Sequence, residues 1–124
     1  MANLEMPHGP LPFDETEVGK VKESNLGNYA LGFIRSSDSA FIPKYVGRSD
    51  SDLQKELKAK LSTKSQTRTH FMFSYAGSEN AAFDKECKNY HDFKKQLENE
   101  IHPARPDGTN YPCPVANCTE LSSD

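Results

Sequence analysis

The chain has 124 residues, a length typical of a single domain, and its formal net charge is −3. Hydrophobic residues make up 35% of it and tryptophan is absent, so the core must be modest and built on Phe, Tyr, Leu and Ile. No run approaches the ~18 consecutive apolar residues of a membrane span. The sequence also lacks the pattern that predicts a signal peptide, a basic start followed by an apolar segment. We therefore expect a cytoplasmic protein with no membrane partner.

Positive charge is concentrated in the middle of the chain. Residues 44–68 hold seven basic and three acidic residues, whereas residues 1–19 hold four acidic residues and no Lys or Arg. Such a basic stretch is typical of a surface that faces nucleic-acid phosphates, but also of an ordinary solvated helix face. The sequence leaves both interpretations open.

The first 26 residues contain three early prolines, Pro7, Pro10 and Pro12. Proline has no amide hydrogen and a fixed φ, so extended structure is favoured over a helix. We interpret residues 1–26 as an N-terminal arm that packs along the sheet.

Two short apolar and aromatic runs, at residues 28–34 and 41–46, are joined by a polar loop. This pattern predicts a β-hairpin. Pro43 cannot donate a ladder hydrogen bond, so the second strand must lie at an edge, carry a bulge or begin there. Gly47 ends the second run.

A helix is predicted next, over residues 50–61. Leu53, Leu57 and Leu61 recur at helical spacing, and Asp50 or Ser51 occupies the position of an N-cap. The three leucines are expected to form its buried stripe.

The last predicted elements are a strand at residues 70–75 and a helix from residue 79 to about residue 95. Aromatic residues alternate along the strand, and Ser78 is a suitable N-cap for the helix. One helix face collects four apolar residues and one carboxylate: Ala82, Phe83, Glu86, Tyr90 and Phe93.

This order of parts resembles the GIY-YIG nuclease family. Gly27-Asn28-Tyr29 corresponds to the first signature tripeptide and Tyr45-Val46-Gly47 to the second. The resemblance continues through the helix glutamate Glu86 to a late asparagine, Asn110.

We therefore expect an α/β fold with a small, three-stranded, mainly antiparallel sheet flanked by helices. The expected division is an arm at residues 1–26, a GIY-YIG-like domain at residues 27–112 and an irregular tail at residues 113–124. No separate recognition domain is visible, so self-association or a protein partner would supply recognition.

The resemblance implies a metal-dependent endonuclease that hydrolyses phosphodiesters in DNA with one Mg2+ or Mn2+ ion. Glu86 would hold that ion, because a carboxylate suits a hard cation. The implied catalytic residues are Tyr29, Tyr45, Arg48 and Lys60, and the implied substrate-binding residues are Lys44, Gly47 and Asn110.

The chain departs from the family on the first helix. Glu56 occupies the position of the phosphate-binding arginine, and Lys60 that of a histidine. Either Arg48 or Lys60 supplies the missing cation, or the chain is a degenerate relative that binds nucleic acid or a protein without cutting. In an active enzyme Glu56 should point away from the pocket, and in an inactive one it should lie within it.

A blander interpretation and two further candidate residues remain. The tripeptides can arise by coincidence in an unrelated small α/β interaction module. His70 and His91 could also reach the nuclease-like site, although a lone histidine is more often an ordinary hydrogen-bonded residue.

Three cysteines, Cys87, Cys113 and Cys118, do not form a disulfide framework and favour a reducing compartment. Structural zinc usually takes four N or S ligands in two close pairs. Only the pair Cys113 and Cys118 is visible, although Cys87 and His102 are available, so zinc is disfavoured. Thiols, or a Cys113–Cys118 disulfide formed after purification, are the favoured states.

Overall fold

The structure is a computed structural model that describes residues 4–99, 102–106, 108–109 and 111–115. This part of the chain forms a four-stranded antiparallel sheet of order β1-β4-β2-β3. The strands are β1 (His8–Pro12), β2 (Gly27–Ile34), β3 (Phe41–Ser49) and β4 (His70–Tyr75). The helices are α1 (Glu15–Val18), α2 (Leu53–Lys60) and α3 (Glu79–Phe93), and α2 continues into a short 3-10 turn (Leu61–Thr63).

The predicted α/β class is confirmed, but the predicted count of three strands is wrong. The proline-rich arm supplies the additional strand, β1, which pairs with β4 and places Leu11 opposite Phe71. β1 lies at the edge of the sheet, where Pro10 and Pro12 are tolerated because an edge strand does not need every amide for the ladder. The GIY-YIG fold itself stays a prediction.

Both faces of the sheet are covered, as the near-continuous apolar run of β2 predicts. Successive residues of β2 point to opposite faces, so Tyr29 and Leu31 enter one core and Ala30 enters the other. The first core includes side chains of the N-terminal segment and of α2: Phe13, Val18, Val21, Leu53 and Leu57. The second includes Leu4, Met6, Val46 and, from α3, Tyr90.

The predicted helices exist, with shifted boundaries at the first. α2 begins at Leu53, and its N-cap is Asp52, whose side chain accepts a hydrogen bond from the Lys55 amide at 3.1 Å. For α3 the predicted N-cap is confirmed, since the Ser78 hydroxyl accepts from the Ala81 amide at 3.1 Å. Within the described residues, none of the helices has the length and apolar character that crossing a membrane requires.

The prediction for Pro43 is also confirmed, because β3 is the other edge strand and carries a bulge at this point. Leu31 pairs with Tyr45 whereas Gly32 pairs with Pro43, so Lys44 is the extra residue of β3. Beyond the bulge the register places Tyr29 opposite Gly47, and this pairing organises the site.

Candidate functional site: an acidic, tyrosine-lined pocket

A pocket of about 240 Å3 lies beside the edge strand β3. It is lined by residues of β2, β3, α2, α3 and the segment after α3: Tyr29, Tyr45, Gly47, Arg48, Asp50, Glu56, Glu86 and Ala104. Five of these eight residues are site residues that the sequence predicted. The two tyrosines and the helix glutamate therefore meet in one hollow.

Gly47 makes room for the ring of Tyr29. A Cβ atom at position 47 would lie 2.5 Å from both Cζ and Oη of Tyr29, far inside van der Waals contact. Tyr29 is fully buried, so its ring has little space into which to retreat. The close approach of the two strands at this pair thus requires a residue without a side chain.

The hydroxyl of Tyr29 donates a hydrogen bond to Oε2 of Glu56 at 2.9 Å. Burial raises the pKa of Tyr29, and the nearby Glu56 carboxylate raises it further. Tyr29 therefore remains a neutral hydrogen-bond donor and does not supply a phenolate base. Glu56 lies inside the pocket, which is the arrangement that the sequence analysis assigned to an inactive relative.

Arg48 also lies in the pocket, held between two carboxylates. Its Nε and Nη2 donate to Asp50 at 2.8 and 3.2 Å, and its Nη1 donates to Glu86 at 2.5 Å. The guanidinium carbon lies 5.3 Å from the centre of the Phe83 ring, and the side chain is only 10% exposed. The hydrogen-bonding capacity of this arginine is therefore largely used within the protein.

Glu86 is a buried carboxylate of α3, and its residue is 8% exposed. Burial raises the pKa of the Glu86 carboxyl to about 7, Arg48 opposes the shift, and the Asp50 and Glu56 carboxylates add to it. The group lies where the helix pattern predicts, on the face that carries Ala82 and Tyr90.

The pocket does not fit the single Mg2+ or Mn2+ ion that the resemblance implies. The expected ligand, Glu86, binds the Arg48 guanidinium, whose positive charge stands where a cation would have to approach. Among the described residues, three metal-ligating side chains do lie close together, but elsewhere. They are Cys87, His102 and Cys113, whose ligand atoms are within 4.8 Å of one another.

Two other predicted residues, Lys60 and Lys44, are not among those that line the pocket. The Lys60 Nζ atom lies 5.1 Å from the centre of the Tyr45 ring, and Arg68 approaches the same ring to 4.7 Å. Lys44 is the bulged residue of β3, and its carbonyl accepts from the Glu98 amide. Asn110 lies outside the described residues.

Asp50 and Asn28 are structural partners of the site that were not predicted from the sequence. Asp50 pairs with Arg48 two residues earlier, a spacing that is visible in the sequence but that we interpreted as a helix cap. Asn28 is buried, and its side-chain amide donates to the Ala82 carbonyl at 2.8 Å, which ties β2 to the start of α3.

Fold and pocket together define a small α/β domain with an acidic, tyrosine-lined pocket at one sheet edge. Comparison of the chain with family models, curated proteins and solved structures finds no match. The GIY-YIG relationship stays a prediction that rests on the motifs and on their order along the chain.

Proposed function

We propose that the chain is a catalytically degenerate relative of the GIY-YIG nucleases that binds nucleic acid without cleaving it. The observation that carries the proposal is the Tyr29–Glu56 hydrogen bond, which fixes a carboxylate inside the pocket. Phosphodiester cleavage develops negative charge that needs a positive group. A carboxylate at the position of the expected arginine does the opposite.

The charge of the pocket supports this proposal. Among the described residues that line it, Arg48 is the one cation, and it is paired with both Asp50 and Glu86. With Glu56 as a third carboxylate, acidic side chains outnumber this cation in the pocket. At an effective dielectric constant of about 20, a phosphate about 5 Å from one carboxylate is repelled by roughly 3 kcal/mol. Loss of a group that stabilises the transition state costs about 100- to 1,000-fold in rate in comparable cases.

The surface of α2 supports nucleic acid as the partner. Lys55 and Lys58 are exposed on the helix, and Lys64 is exposed just after it. Lys60 and Arg68 flank the Tyr45 ring at the border of the pocket. Exposed basic side chains of this kind bind phosphates without reading sequence, and their contribution weakens as salt rises.

A plasmid-nicking assay with Mg2+ or Mn2+ tests the absence of cleavage. The wild-type chain is expected to leave supercoiled plasmid intact over the range in which it binds DNA. Glu86→Ala serves as the control for contamination, because any nicking that survives it comes from another nuclease. Nicking by the wild type that Glu86→Ala abolishes would overturn the proposal and restore the endonuclease hypothesis.

Fluorescence anisotropy with a labelled DNA duplex tests the binding. The affinity is expected to fall as salt rises. Lys58→Glu should weaken it and lower the salt slope by about one unit for each phosphate that the chain no longer neutralises. Lys95→Glu is the matched control, because it makes the same charge change at an exposed lysine beyond α3. A wild-type chain that binds no duplex even at low salt would favour the protein-binding alternative.

A further inference from the structure

A second cluster of functional side chains lies on α3 and the segment that follows it. Cys87 and His91 are four residues apart on α3, so they project from the same face of the helix. His102 and Cys113 come from the chain after the helix and meet this face. Cys87 is fully buried, whereas His91 and Cys113 are partly buried.

His91 joins the mutually close trio of Cys87, His102 and Cys113 through short distances to His102 and Cys113. The ligand atoms of Cys87, His102 and Cys113 lie within 4.8 Å of one another. The Nε2 atom of His91 lies 3.2 Å from Nε2 of His102 and 3.5 Å from Sγ of Cys113. Zinc bonds to N and S in a tetrahedron set nitrogen–nitrogen and nitrogen–sulfur edges of roughly 3.3 and 3.6 Å.

The hydrogen bonding of His102 suits a metal ligand. Its Nδ1 atom lies 2.9 Å from the backbone carbonyl oxygen of Pro103, and it can contact that acceptor only by donating a proton. The proton on Nδ1 leaves the Nε2 lone pair facing the cluster. Ligating histidines are commonly oriented by such a bond to a backbone carbonyl.

We propose that Cys87, His91, His102 and Cys113 bind one Zn2+ ion in a closed structural site. Two thiolates and two imidazoles are a standard donor set for structural zinc, and they give the bound ion a neutral environment. With four protein ligands the ion has no open position for substrate, so its role is structural. The sequence disfavours zinc because only Cys113 and Cys118 form a close pair, with Cys87 and His102 available; the i, i+4 spacing of Cys87 and His91 on α3 is a second pair that was not recognised.

The site would fasten the segment after α3 to the body of the domain. His102 and Cys113 flank Ala104, which lines the acidic pocket. The intervening backbone is also tied by Arg105, whose Nε donates to the Tyr111 carbonyl at 2.8 Å. Zinc would therefore fix one wall of the pocket from a distance, independently of whether the pocket cleaves or only binds nucleic acid.

Metal titration of the untagged full chain tests this site directly. The chain is stripped with a chelator, titrated with ZnCl2, and followed by metal analysis and thermal unfolding. One Zn2+ per chain is expected, with a rise in Tm that a chelator reverses. Co2+ in place of Zn2+ should give the thiolate charge-transfer and tetrahedral d–d bands of a two-thiolate site.

The variants change the two partly buried ligands, Cys113 and His91, because substitution there disturbs packing less than substitution of the fully buried Cys87. Cys113→Ser and His91→Gln should each lower zinc affinity by more than the ~10- to 100-fold that loss of a ligand's hydrogen-bond partner costs. His70→Gln and Cys118→Ser are the controls and should bind zinc as the wild type does.

Several results would overturn the proposal. A wild-type chain whose Tm and Co2+ spectrum do not respond to metal would show that the cluster is only hydrogen-bonded. Wild-type affinity in both Cys113→Ser and His91→Gln would place the metal elsewhere. Loss of zinc in Cys118→Ser would show that the four-ligand set is wrong. The wild-type Co2+ spectrum decides the matter even if a variant fails to fold.

Discussion

The phenol of Tyr29 and the carboxylate of Glu56 are joined by a 2.9 Å hydrogen bond that links the central strand β2 to α2. Tyr29 has no exposed surface, so its hydroxyl depends on this acceptor. Glu56 thus has a structural role as well as an electrostatic one. The carboxylate that stands at the position of the family's arginine satisfies a buried polar group.

Removal of the Glu56 acceptor should destabilise the protein. Glu56→Ala leaves the Tyr29 hydroxyl without its partner, and an unsatisfied buried donor costs about 1–3 kcal/mol. Glu56→Gln retains an acceptor oxygen and should cost less. Urea denaturation measures both free energies of unfolding. Lys55→Ala, at the exposed neighbouring position, should change stability by no more than about 0.5 kcal/mol. A loss in Lys55→Ala as large as that in Glu56→Ala would show that the Tyr29–Glu56 hydrogen bond is not the cause.

Gly47→Ala should also destabilise the protein, because the added methyl group would collide with the Tyr29 ring. Overpacking of this kind costs about 1–3 kcal/mol. Gly77→Ala is the control, since a Cβ there meets nothing within 4 Å. A combined Gly47→Ala and Tyr29→Leu variant should recover part of the loss in thermal unfolding. Equal losses for Gly47→Ala in the presence and absence of the Tyr29 ring would refute the steric explanation.

Arg48→Met should be among the most destabilising substitutions at the pocket. It leaves Glu86 buried without a cation, and breaking a buried ion pair typically costs about 3–5 kcal/mol. Replacing both partners, in Arg48→Met with Glu86→Leu, should restore most of the stability. Asp50 is 31% exposed, so Asp50→Asn should cost much less. Chemical denaturation of the four proteins decides this, and no recovery in the double variant would contradict it.

Local pattern predicted the secondary structure well where one periodicity dominates. The strand at residues 70–75 coincides with β4, because Phe71, Phe73 and Tyr75 alternate with other residues at the period of a strand. β1 was missed as a strand, because its prolines argue against pairing when the neighbour is unknown. Only the tertiary structure shows that β1 is an edge strand next to β4, where those prolines are tolerated.

The pocket was predicted in part, for a physical reason. The resemblance to the GIY-YIG family implied that Tyr29, Tyr45 and Glu86 belong together, and they do line one hollow. It could not reveal that Arg48 pairs with Glu86, 38 residues away, because such contacts depend on how α3 packs on the sheet. The orientation of Glu56 was likewise left open until the packing of α2 was known.

The hairpin that fixes the Tyr29–Gly47 register offers a prediction about pH. In its loop Arg35 donates two hydrogen bonds to Asp38, at 2.9 and 2.6 Å. These bonds, with one from the Ala40 amide, lower the pKa of Asp38 to about 2. NMR titration should find this value, and Arg35→Gln should return it towards the ordinary ~3.9.

The direction in which stability changes with pH follows from the lowered pKa of Asp38. Its contribution to stability is fully present above the unfolded-state pKa of about 3.9 and is lost as pH falls through about 2. The contribution is small because both side chains are about half exposed. An Asp38 midpoint that is unchanged by Arg35→Gln would show that the ion pair does not form in solution.

Glu56→Arg should strengthen the binding of DNA. The substitution removes one carboxylate of the pocket and adds a cation beside Lys55 and one turn before Lys60, so one further phosphate can be neutralised. The salt slope of the binding constant should steepen by about one unit, and the affinity at low salt should rise about tenfold or more. Anisotropy measured at several salt concentrations gives both numbers.

Glu79→Arg makes the same charge change at an exposed position at the start of α3 and should have a much smaller effect. Equal gains in the two variants would mean that DNA responds only to the net charge of the chain and does not approach the pocket.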